Sequence, residues 1–148
     1  MTEPIRVLFI CTHNSARSQI AEALLRRDGG DRFEPFSAGM EATGVRPQTI
    51  RVLDELGMDW SAARSKTIAE FLDQPFDYVI TVCDDARDAC PVFPGATRTL
   101  HWNLVDPSVA TGTEQERLSA FRQTVRDVEA RLTPFIDAAM HASTAHPA

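Results

Sequence analysis

Cys11, Arg17 and Ser18 form the pattern Cys-x5-Arg-Ser near the start of the chain, and these residue types suit nucleophilic attack on a bound oxyanion. A cysteine thiolate is a strong nucleophile. The planar guanidinium of Arg17 can bind two oxygens of a tetrahedral anion at once. Ser18, in the first turn of the helix that follows, can donate a hydrogen bond to the thiolate. The pattern therefore predicts that Cys11 is a nucleophile facing an anion held by Arg17.

The loop between Cys11 and Arg17 is predicted to bind the anion largely through its backbone. A loop between a strand and a helix can turn its N–H groups inward, and the helix N-terminus adds the positive end of its dipole. Such a site needs no net positive charge, and the chain carries a net charge of −6. Asn14 tolerates the left-handed backbone that a tight loop often requires. We expect the oxyanion to lie against Thr12, His13, Asn14, Ser15, Ala16, Arg17 and Ser18.

The other two cysteines, Cys83 and Cys90, have six residues between them. Zinc sites favour two to four residues between neighbouring cysteines, and no histidine pair completes a set, so the spacing argues against a metal. If the segment is helical, the cysteines are roughly 10 Å apart, whereas a disulfide needs Cα atoms within ~7 Å. A bond between them would require the segment to bend or unwind, which predicts one conformation for each redox state.

Asp106, which precedes Pro107, is the candidate general acid. Its carboxyl group could protonate an oxygen that leaves the tetrahedral anion. The proline restricts Asp106 to extended conformations. From these two residues alone, an ordinary Asp-Pro turn is the favoured interpretation.

The elements that must position these residues follow from the apolar pattern. Strands are predicted over 5–10, 33–38, 77–82 and 97–102. They alternate with helices, which predicts a single-domain α/β fold with an open, four-stranded parallel sheet and helices on both faces. Ligands bind such sheets at the carboxyl ends of the strands. Cys11, Cys83 and Asp106 follow the first, third and fourth strands, so we expect them at one sheet edge.

The helices are predicted from apolar spacing and end signals. Ile20, Ala21, Leu24 and Leu25 lie on one helix, which ends at Gly29-Gly30. A second helix begins near Pro47, buries Ile50, Leu53 and Leu56, and stops at Gly57. Thr67-x-x-Glu70 resembles a capping box for a short element. A long amphipathic helix runs from Leu118 to Met140.

Length and composition limit the class of protein to which the chain can belong. The 148 residues suit one domain, which we place at 1–140, with a frayed tail at 141–148. The net charge of −6 and the lack of a basic run argue against nucleic acid or an anionic membrane as partner. No stretch resembles a secretory signal or a membrane span, so we expect a cytoplasmic protein. We also expect the protein to be a monomer. An odd number of cysteines in a reducing compartment favours a catalytic or redox role.

The sequence from Cys11 to Glu22, Cys-Thr-His-Asn-Ser-Ala-Arg-Ser-Gln-Ile-Ala-Glu, resembles the nucleophile loop of the low-molecular-weight protein tyrosine phosphatase family. It is most similar to the arsenate reductase branch of that family. The resemblance continues at Phe36-Ser37-Ala38-Gly39, from Val82-Cys83 to Pro94, and from His101-Trp102 to Asp106-Pro107. It covers nearly the whole chain, and the strand–loop–helix setting makes the motif highly specific.

The resemblance implies a function and a set of roles. The chain would reduce arsenate to arsenite for arsenic detoxification, with phosphate or sulfate as a mimic of the substrate. Cys11 would attack the arsenic and Asp106 would act as the acid. Cys83 and Cys90 would form the redox disulfide, which thioredoxin or a similar dithiol donor would reduce. No cofactor and no catalytic metal is implied.

The resemblance also implies a support for the loop. Asn14, Glu22 and Ser37 match positions that bind a structural potassium ion in some arsenate reductases of the family. The fourth ligand there is an aspartate, whose place in this chain is taken by Lys66. The hypothesis is that the Lys66 ammonium replaces the potassium ion beside Glu22. The alternative is that Lys66 is an ordinary solvated lysine.

Two other functions compete with arsenate reduction. A tyrosine phosphatase of the same fold would use the same nucleophile. That branch, however, carries tyrosines after Asp-Pro and a cysteine before the arginine, where this chain has Ser108-Val109-Ala110-Thr111 and Ala16. A redox sensor that uses only Cys83 and Cys90 would leave Arg17 and the anion loop unexplained.

Overall fold

Four strands and three helices make up the described part of the chain. The computed structural model describes residues 3–83, 93 and 95–145, with the backbone alone for 143–145. The strands are β1 (Ile5–Cys11), β2 (Phe33–Gly39), β3 (Phe76–Thr81) and β4 (Ala96–His101). The helices are α1 (Arg17–Gly29), α2 (Pro47–Glu55) and α3 (Glu114–Ala145). Short 3-10 turns lie at Gly30–Arg32, Ile68–Glu70 and Pro107–Val109.

The strands form one parallel sheet in the order β2-β1-β3-β4. Val7, Leu8, Phe9 and Ile10 of β1 are all fully buried. Successive side chains of a strand point to opposite faces, so both faces of the sheet are covered. The predicted single-domain α/β fold with an open four-stranded parallel sheet is confirmed, and each predicted strand lies within one or two residues of the observed one.

Aromatic rings pack α3 onto the sheet. Phe135 of α3 lies against Phe33, Tyr78 and Trp102, with ring centroids 5.0–6.1 Å apart. A second group of rings joins Phe36 and Phe76 to Phe71, which precedes β3. Burial of aromatic rings of this size contributes strongly to stability. These contacts join α3 and the residues before β3 to the sheet.

Two local predictions are wrong. Thr67 makes no side-chain capping bond, and only a 3-10 turn follows it, because the Glu70 carboxylate pairs with Arg64 at 2.6 Å. In α2 the buried residues are Thr49, Val52 and Leu53, whereas Leu56 is 41% exposed. Leu56 lies outside the helix, beyond its last residue Glu55, so the helical spacing no longer applies to it.

A capping box lies at the start of α3. Thr113 Oγ1 accepts a hydrogen bond from the Glu116 N–H, and the Glu116 carboxylate accepts one from the Thr113 N–H. At its other end α3 continues to Ala145, so the boundary predicted at 140/141 lies inside the helix. None of the helices in the described part of the chain has the length and hydropathy that a bilayer span requires.

Candidate functional site

The carboxyl ends of β1, β3 and β4 lie side by side and carry the predicted reactive residues. Cys11 is the last residue of β1, Cys83 comes two residues after β3, and Asp106 precedes the turn Pro107–Val109. The loop after β1 contacts both of the other segments. Thr12 Oγ1 lies 3.2 Å from Cys83 Sγ, and an Arg17 nitrogen lies 3.5 Å from Asp106 Oδ2. The structure thus brings these side chains together at one edge of the sheet, as the strand pattern indicates.

The loop from Thr12 to Ala16 turns its carbonyl groups outward. The carbonyl oxygens of Cys11 and Thr12 accept hydrogen bonds from the N–H groups of Met40 and Glu41, at 3.1 and 2.9 Å. The Ser15 carbonyl accepts from the Arg46 N–H and from the Thr49 hydroxyl, at 3.0 and 2.8 Å. With the carbonyls bound from outside, the inner side of the loop is left to N–H groups. One of them, the Asn14 N–H, lies 3.2 Å from Cys11 Sγ and donates to it.

The start of α1 is left open to an anion. Ala16, at the N-cap, has no side chain that could bond the first free N–H groups, and the first turn of the helix contains no acidic residue. Free N–H groups and the helix dipole together favour a bound anion at this point. The side chain of Arg17 is only 11% exposed, so its charge lies within the site and not in solvent.

Two backbone features allow the loop to close this tightly. Asn14 is fully buried with a φ of 53°, the left-handed conformation that the sequence predicts. Gly39, at the end of β2, lies beneath the loop. A Cβ atom at position 39 would come within 2.6 Å of the Asn14 nitrogen, so the loop can pack here only against a glycine.

A chain of hydrogen bonds directs a proton toward Cys11. The Asn14 amide nitrogen, which can only donate, lies 2.8 Å from Ser18 Oγ. Ser18 Oγ therefore accepts from Asn14, and its own proton is free for Cys11 Sγ, which lies 2.8 Å away. Together with the Asn14 N–H, this gives two donors to the sulfur. These two hydrogen bonds fix the position of the attacking sulfur.

Gln19 and Trp60 hold Asn14 in place, and the sequence analysis missed this role. Gln19 Nε2 donates to Asn14 Oδ1 at 2.9 Å, and the Trp60 indole N–H donates to Gln19 Oε1 at 2.8 Å. The Lys66 N–H also donates to Asn14 Oδ1, at 2.8 Å. The only signal for Gln19 was its place inside the motif that carries the family resemblance.

Asp106 is positioned by Ser108 and Arg17. The Ser108 N–H donates to Asp106 Oδ1 at 2.9 Å, and the Ser108 hydroxyl donates to the same oxygen. Burial raises the pKa of Asp106, but the hydrogen bonds from Ser108 and the charges of Arg17 and His13 outweigh it and lower the pKa. Asp106 is therefore a carboxylate at neutral pH before substrate binds. A dianion bound to Arg17 would add negative charge beside Asp106 and so raise its pKa.

His13 lies at the rim of the loop. Its side chain is 47% exposed, and its Nε2 is 3.8 Å from a carboxylate oxygen of Glu41. The His13 carbonyl accepts a hydrogen bond from the Ser65 hydroxyl at 3.0 Å, which ties this part of the loop to the segment before Lys66. His13 thus belongs to the loop by its backbone, while its ring faces the entrance.

Cys83 is buried, with 4% of its surface exposed, and its sulfur faces Thr12. Cys11 and Cys83 are both free thiols in this structure. Cys90, which is predicted to form the redox disulfide with Cys83, lies outside the described residues, as does the segment between the two cysteines. The predicted disulfide and its change of conformation are therefore not visible.

Lys66 lies beside Glu22, at the base of the loop. Lys66 Nζ is 4.0 Å from Glu22 Oε1, which also accepts a 2.6 Å hydrogen bond from the Ser37 hydroxyl. The two charged side chains are only 14% and 12% exposed. Burial lowers the pKa of Lys66, and the charge of Glu22 opposes that shift. Among the described residues, no group of three or more His, Cys, Asp or Glu side chains is arranged to hold a metal.

Comparison with protein families finds a match over most of the chain. The model of the low molecular weight phosphotyrosine protein phosphatase family matches residues 6–145. An arsenate reductase of Halalkalibacterium halodurans is 38% identical over 131 residues, which cover 88% of this chain and 94% of that relative.

Two solved structures resemble the whole fold. An arsenate reductase in its phosphate-binding state matches with a TM-score of 0.77 and 30% identity, covering 90% of this chain and 98% of its own. A thioredoxin-dependent arsenate reductase of Corynebacterium glutamicum matches with a TM-score of 0.65 and 34% identity, covering 94% of this chain and 65% of its own.

Proposed function

The chain belongs to the low-molecular-weight phosphotyrosine protein phosphatase family, and we propose that it acts there as an arsenate reductase. The observation that carries the proposal is the contact of 3.2 Å between Thr12 Oγ1 and Cys83 Sγ. A phosphatase needs only the thiolate, the anion loop and an acid. A second buried thiol held against that loop serves a reaction in which sulfur supplies electrons.

The first step is attack on arsenic(V). Arsenate binds to the loop N–H groups and to Arg17, and the Cys11 thiolate forms a sulfur–arsenic bond. An oxygen leaves as water, with a proton from Asp106. Asp106 becomes able to carry that proton because the bound dianion opposes its negative charge and draws Arg17 away from it. The hydrogen bond with Ser18 holds the Cys11 sulfur in position until the bond forms.

The second step reduces arsenic. The Cys83 thiolate attacks Cys11 Sγ, and a disulfide forms between the two cysteines. The electron pair of the sulfur–arsenic bond passes to arsenic, which leaves as arsenite, arsenic(III). Two electrons are transferred, and they come from the two sulfur atoms. The Thr12 hydroxyl, which belongs to the loop and contacts Cys83, is placed to guide this attack.

The third step restores Cys11. Cys90 attacks Cys83, the Cys11 thiolate is released, and the Cys83–Cys90 disulfide remains. A dithiol donor then reduces that disulfide by thiol–disulfide exchange. We assign this role to thioredoxin, on which the Corynebacterium glutamicum relative depends. The thiols must begin the cycle reduced, so we place the enzyme in the cytoplasm, and we take the monomer to be the functional unit.

We also propose that Lys66 serves as an internal cation for the loop. Its ammonium lies near the Glu22 carboxylate, which Ser37 and Arg26 also contact. The Lys66 N–H and carbonyl bond to Asn14 and Gly39, so the residue joins this charge pair to the loop by its backbone. An ammonium in this place supplies the positive charge that potassium would otherwise supply.

A reconstituted assay tests the function. Arsenate, thioredoxin, thioredoxin reductase and NADPH are mixed with the protein, and arsenite is measured. We expect sustained arsenite production, its loss in Cys11→Ser and Cys83→Ala, and continued hydrolysis of a small aryl phosphate by Cys83→Ala. Hydrolysis without any reduction of arsenate by the wild type would identify a phosphatase instead.

A further inference from the structure

A polar cavity lies beside the turn Pro107–Val109, which follows Asp106, and it is separate from the catalytic loop. Its volume is ≈ 240 Å³, and it opens between the start of α2, the residues that follow Asp106, and the first turns of α3. None of the loop residues from Cys11 to Ser18 lines it. The volume is below that of a typical site for a drug-sized ligand, so the cavity suits a small polar molecule.

Two arginines give the cavity a positive charge. Arg46 lines it from the N-cap of α2 and Arg117 lines it from α3. Both side chains are exposed, and within the described part of the chain neither guanidinium has an ion-pair or hydrogen-bond partner. Most other arginines of the described chain, such as Arg27 and Arg122, are paired with carboxylates. Two unpaired guanidiniums around one cavity, in a chain of net charge −6, point to an anion.

The cavity wall also contains an unsatisfied polar atom. Gln48 Oε1 is buried and has no hydrogen-bond partner among the described residues. A buried polar atom without a partner is costly, and a ligand can remove that cost. The side-chain amide carries an acceptor and a donor. It can therefore bond to a protonated oxygen of an anion, or to an unprotonated one after rotation by half a turn.

We propose that this cavity is a second oxyanion site, which binds inorganic phosphate or arsenate. The two guanidiniums approach from different helices, and each can bond two oxygens. A tetrahedral oxyanion offers four oxygens and can engage both forks together with Gln48. A carboxylate offers only two, and one arginine alone satisfies them.

The site is connected to both halves of the catalytic machinery. On one wall, the Arg46 N–H donates to the Ser15 carbonyl of the catalytic loop. On the other wall, Ser108 holds the Asp106 carboxylate by two hydrogen bonds. An anion in the cavity would therefore contact residues next to the loop and next to the acid, without occupying the place of the substrate.

Calorimetric titration of the whole protein with inorganic phosphate tests the proposal. We expect two equivalents for the wild type and one for Arg46→Ala/Arg117→Ala, in which the second site is weakened by at least about 100-fold. Arg17→Ala should lose the catalytic equivalent and retain the other. One equivalent in the wild type, or two in the double variant, would overturn the proposal.

Matched variants and ligands separate the cavity from general charge effects. Arg51→Ala/Arg126→Ala removes two arginines of the same helices that do not line the cavity, and it should still bind two equivalents. Gln48→Leu should weaken the second equivalent alone. Acetate should not displace phosphate from the cavity. Equal loss in the control pair, or displacement by acetate, would contradict a built oxyanion site.

Discussion

The Thr12 hydroxyl oxygen lies 3.2 Å from the Cys83 sulfur, and this contact joins the anion loop to the thiol that follows β3. Thr12 belongs to the loop that would hold the substrate, so the contact places Cys83 directly against that loop. Both residues lie at the ends of the adjacent parallel strands β1 and β3. Neighbouring strands thus place the two sulfur-bearing segments side by side before any chemistry takes place.

Removal of the Thr12 hydroxyl should slow the reduction of arsenic but not the binding of arsenate. Thr12→Val keeps the shape of the side chain and loses one hydrogen bond, so we expect release of arsenite to slow about five- to tenfold. Rapid-quench measurement of arsenite in a single turnover, without thioredoxin, reports this step. Thr12→Ser retains the hydroxyl and should remain close to the wild type. A loss in Thr12→Ser with none in Thr12→Val would mean that the methyl group, not the hydroxyl, matters.

Replacement of Cys90 should stop the cycle after one turnover. In Cys90→Ser the Cys11–Cys83 disulfide forms but no internal thiol resolves it. One equivalent of arsenite should therefore appear per enzyme molecule, and peptide mass mapping should find Cys11 linked to Cys83. Cys11→Ser is the control, because it should release no arsenite. Continued turnover of Cys90→Ser with thioredoxin would remove Cys90 from the mechanism.

The Ser108 hydroxyl should keep the pKa of Asp106 low. In Ser108→Ala one of the hydrogen bonds that outweigh burial is lost, so the pKa of Asp106 should rise. The carboxyl carbon shift of Asp106, followed against pH by NMR, measures this directly. A carboxyl whose pKa is lowered in the folded state stabilises the fold above its unfolded pKa and loses that contribution as pH falls. The stability of Ser108→Ala should accordingly depend less on pH between the folded-state and the unfolded-state pKa of Asp106.

Gly39→Ala should distort the anion loop. The new methyl group would meet the Asn14 nitrogen at 2.6 Å, and the neighbouring atoms are backbone, so the loop itself must move. We expect a loss of about 1–3 kcal/mol in the free energy of unfolding and weaker binding of phosphate. Gly29→Ala is a suitable control, because its methyl group would meet the Phe33 ring, away from the loop. That variant should lose stability while phosphate binding is unchanged.

The sheet and the reactive residues could be predicted because both depend on patterns that survive in the sequence. Apolar runs define the strands, and residues that follow parallel strands must meet at one edge. The left-handed backbone at Asn14 was predicted on similar grounds, since few residue types adopt it. Family resemblance then assigned the roles of residues such as Arg17 and Asp106.

Contacts that depend on partners outside a local motif could not be predicted. Thr67-x-x-Glu70 and Thr113-x-x-Glu116 have the same spacing, yet only the second forms a capping box. The Glu70 carboxylate is paired with Arg64, whereas Glu116 lies in the first turn of a helix that buries apolar residues along its length. The bond from Trp60 to Gln19 likewise spans 41 residues, and nothing local to either residue indicates it.

Lys66 should make the enzyme indifferent to potassium. Its ammonium lies 4.0 Å from Glu22 Oε1 and, together with Arg26 at 3.0 Å, offsets the charge of that buried carboxylate, so potassium and sodium should support the same arsenate turnover. In Lys66→Asp the ammonium is replaced by a second carboxylate beside Glu22, Ser37 and Asn14. That variant should be destabilised without potassium and should regain activity several-fold when potassium is added, because the ion offsets two neighbouring negative charges. Lys66→Met is the matched control: it should lose about 1–3 kcal/mol of stability and respond far less to potassium, since it adds no ligand. Strong activation of the wild type by potassium over sodium, measured as arsenite production at equal ionic strength, would show that the ammonium does not fill this place.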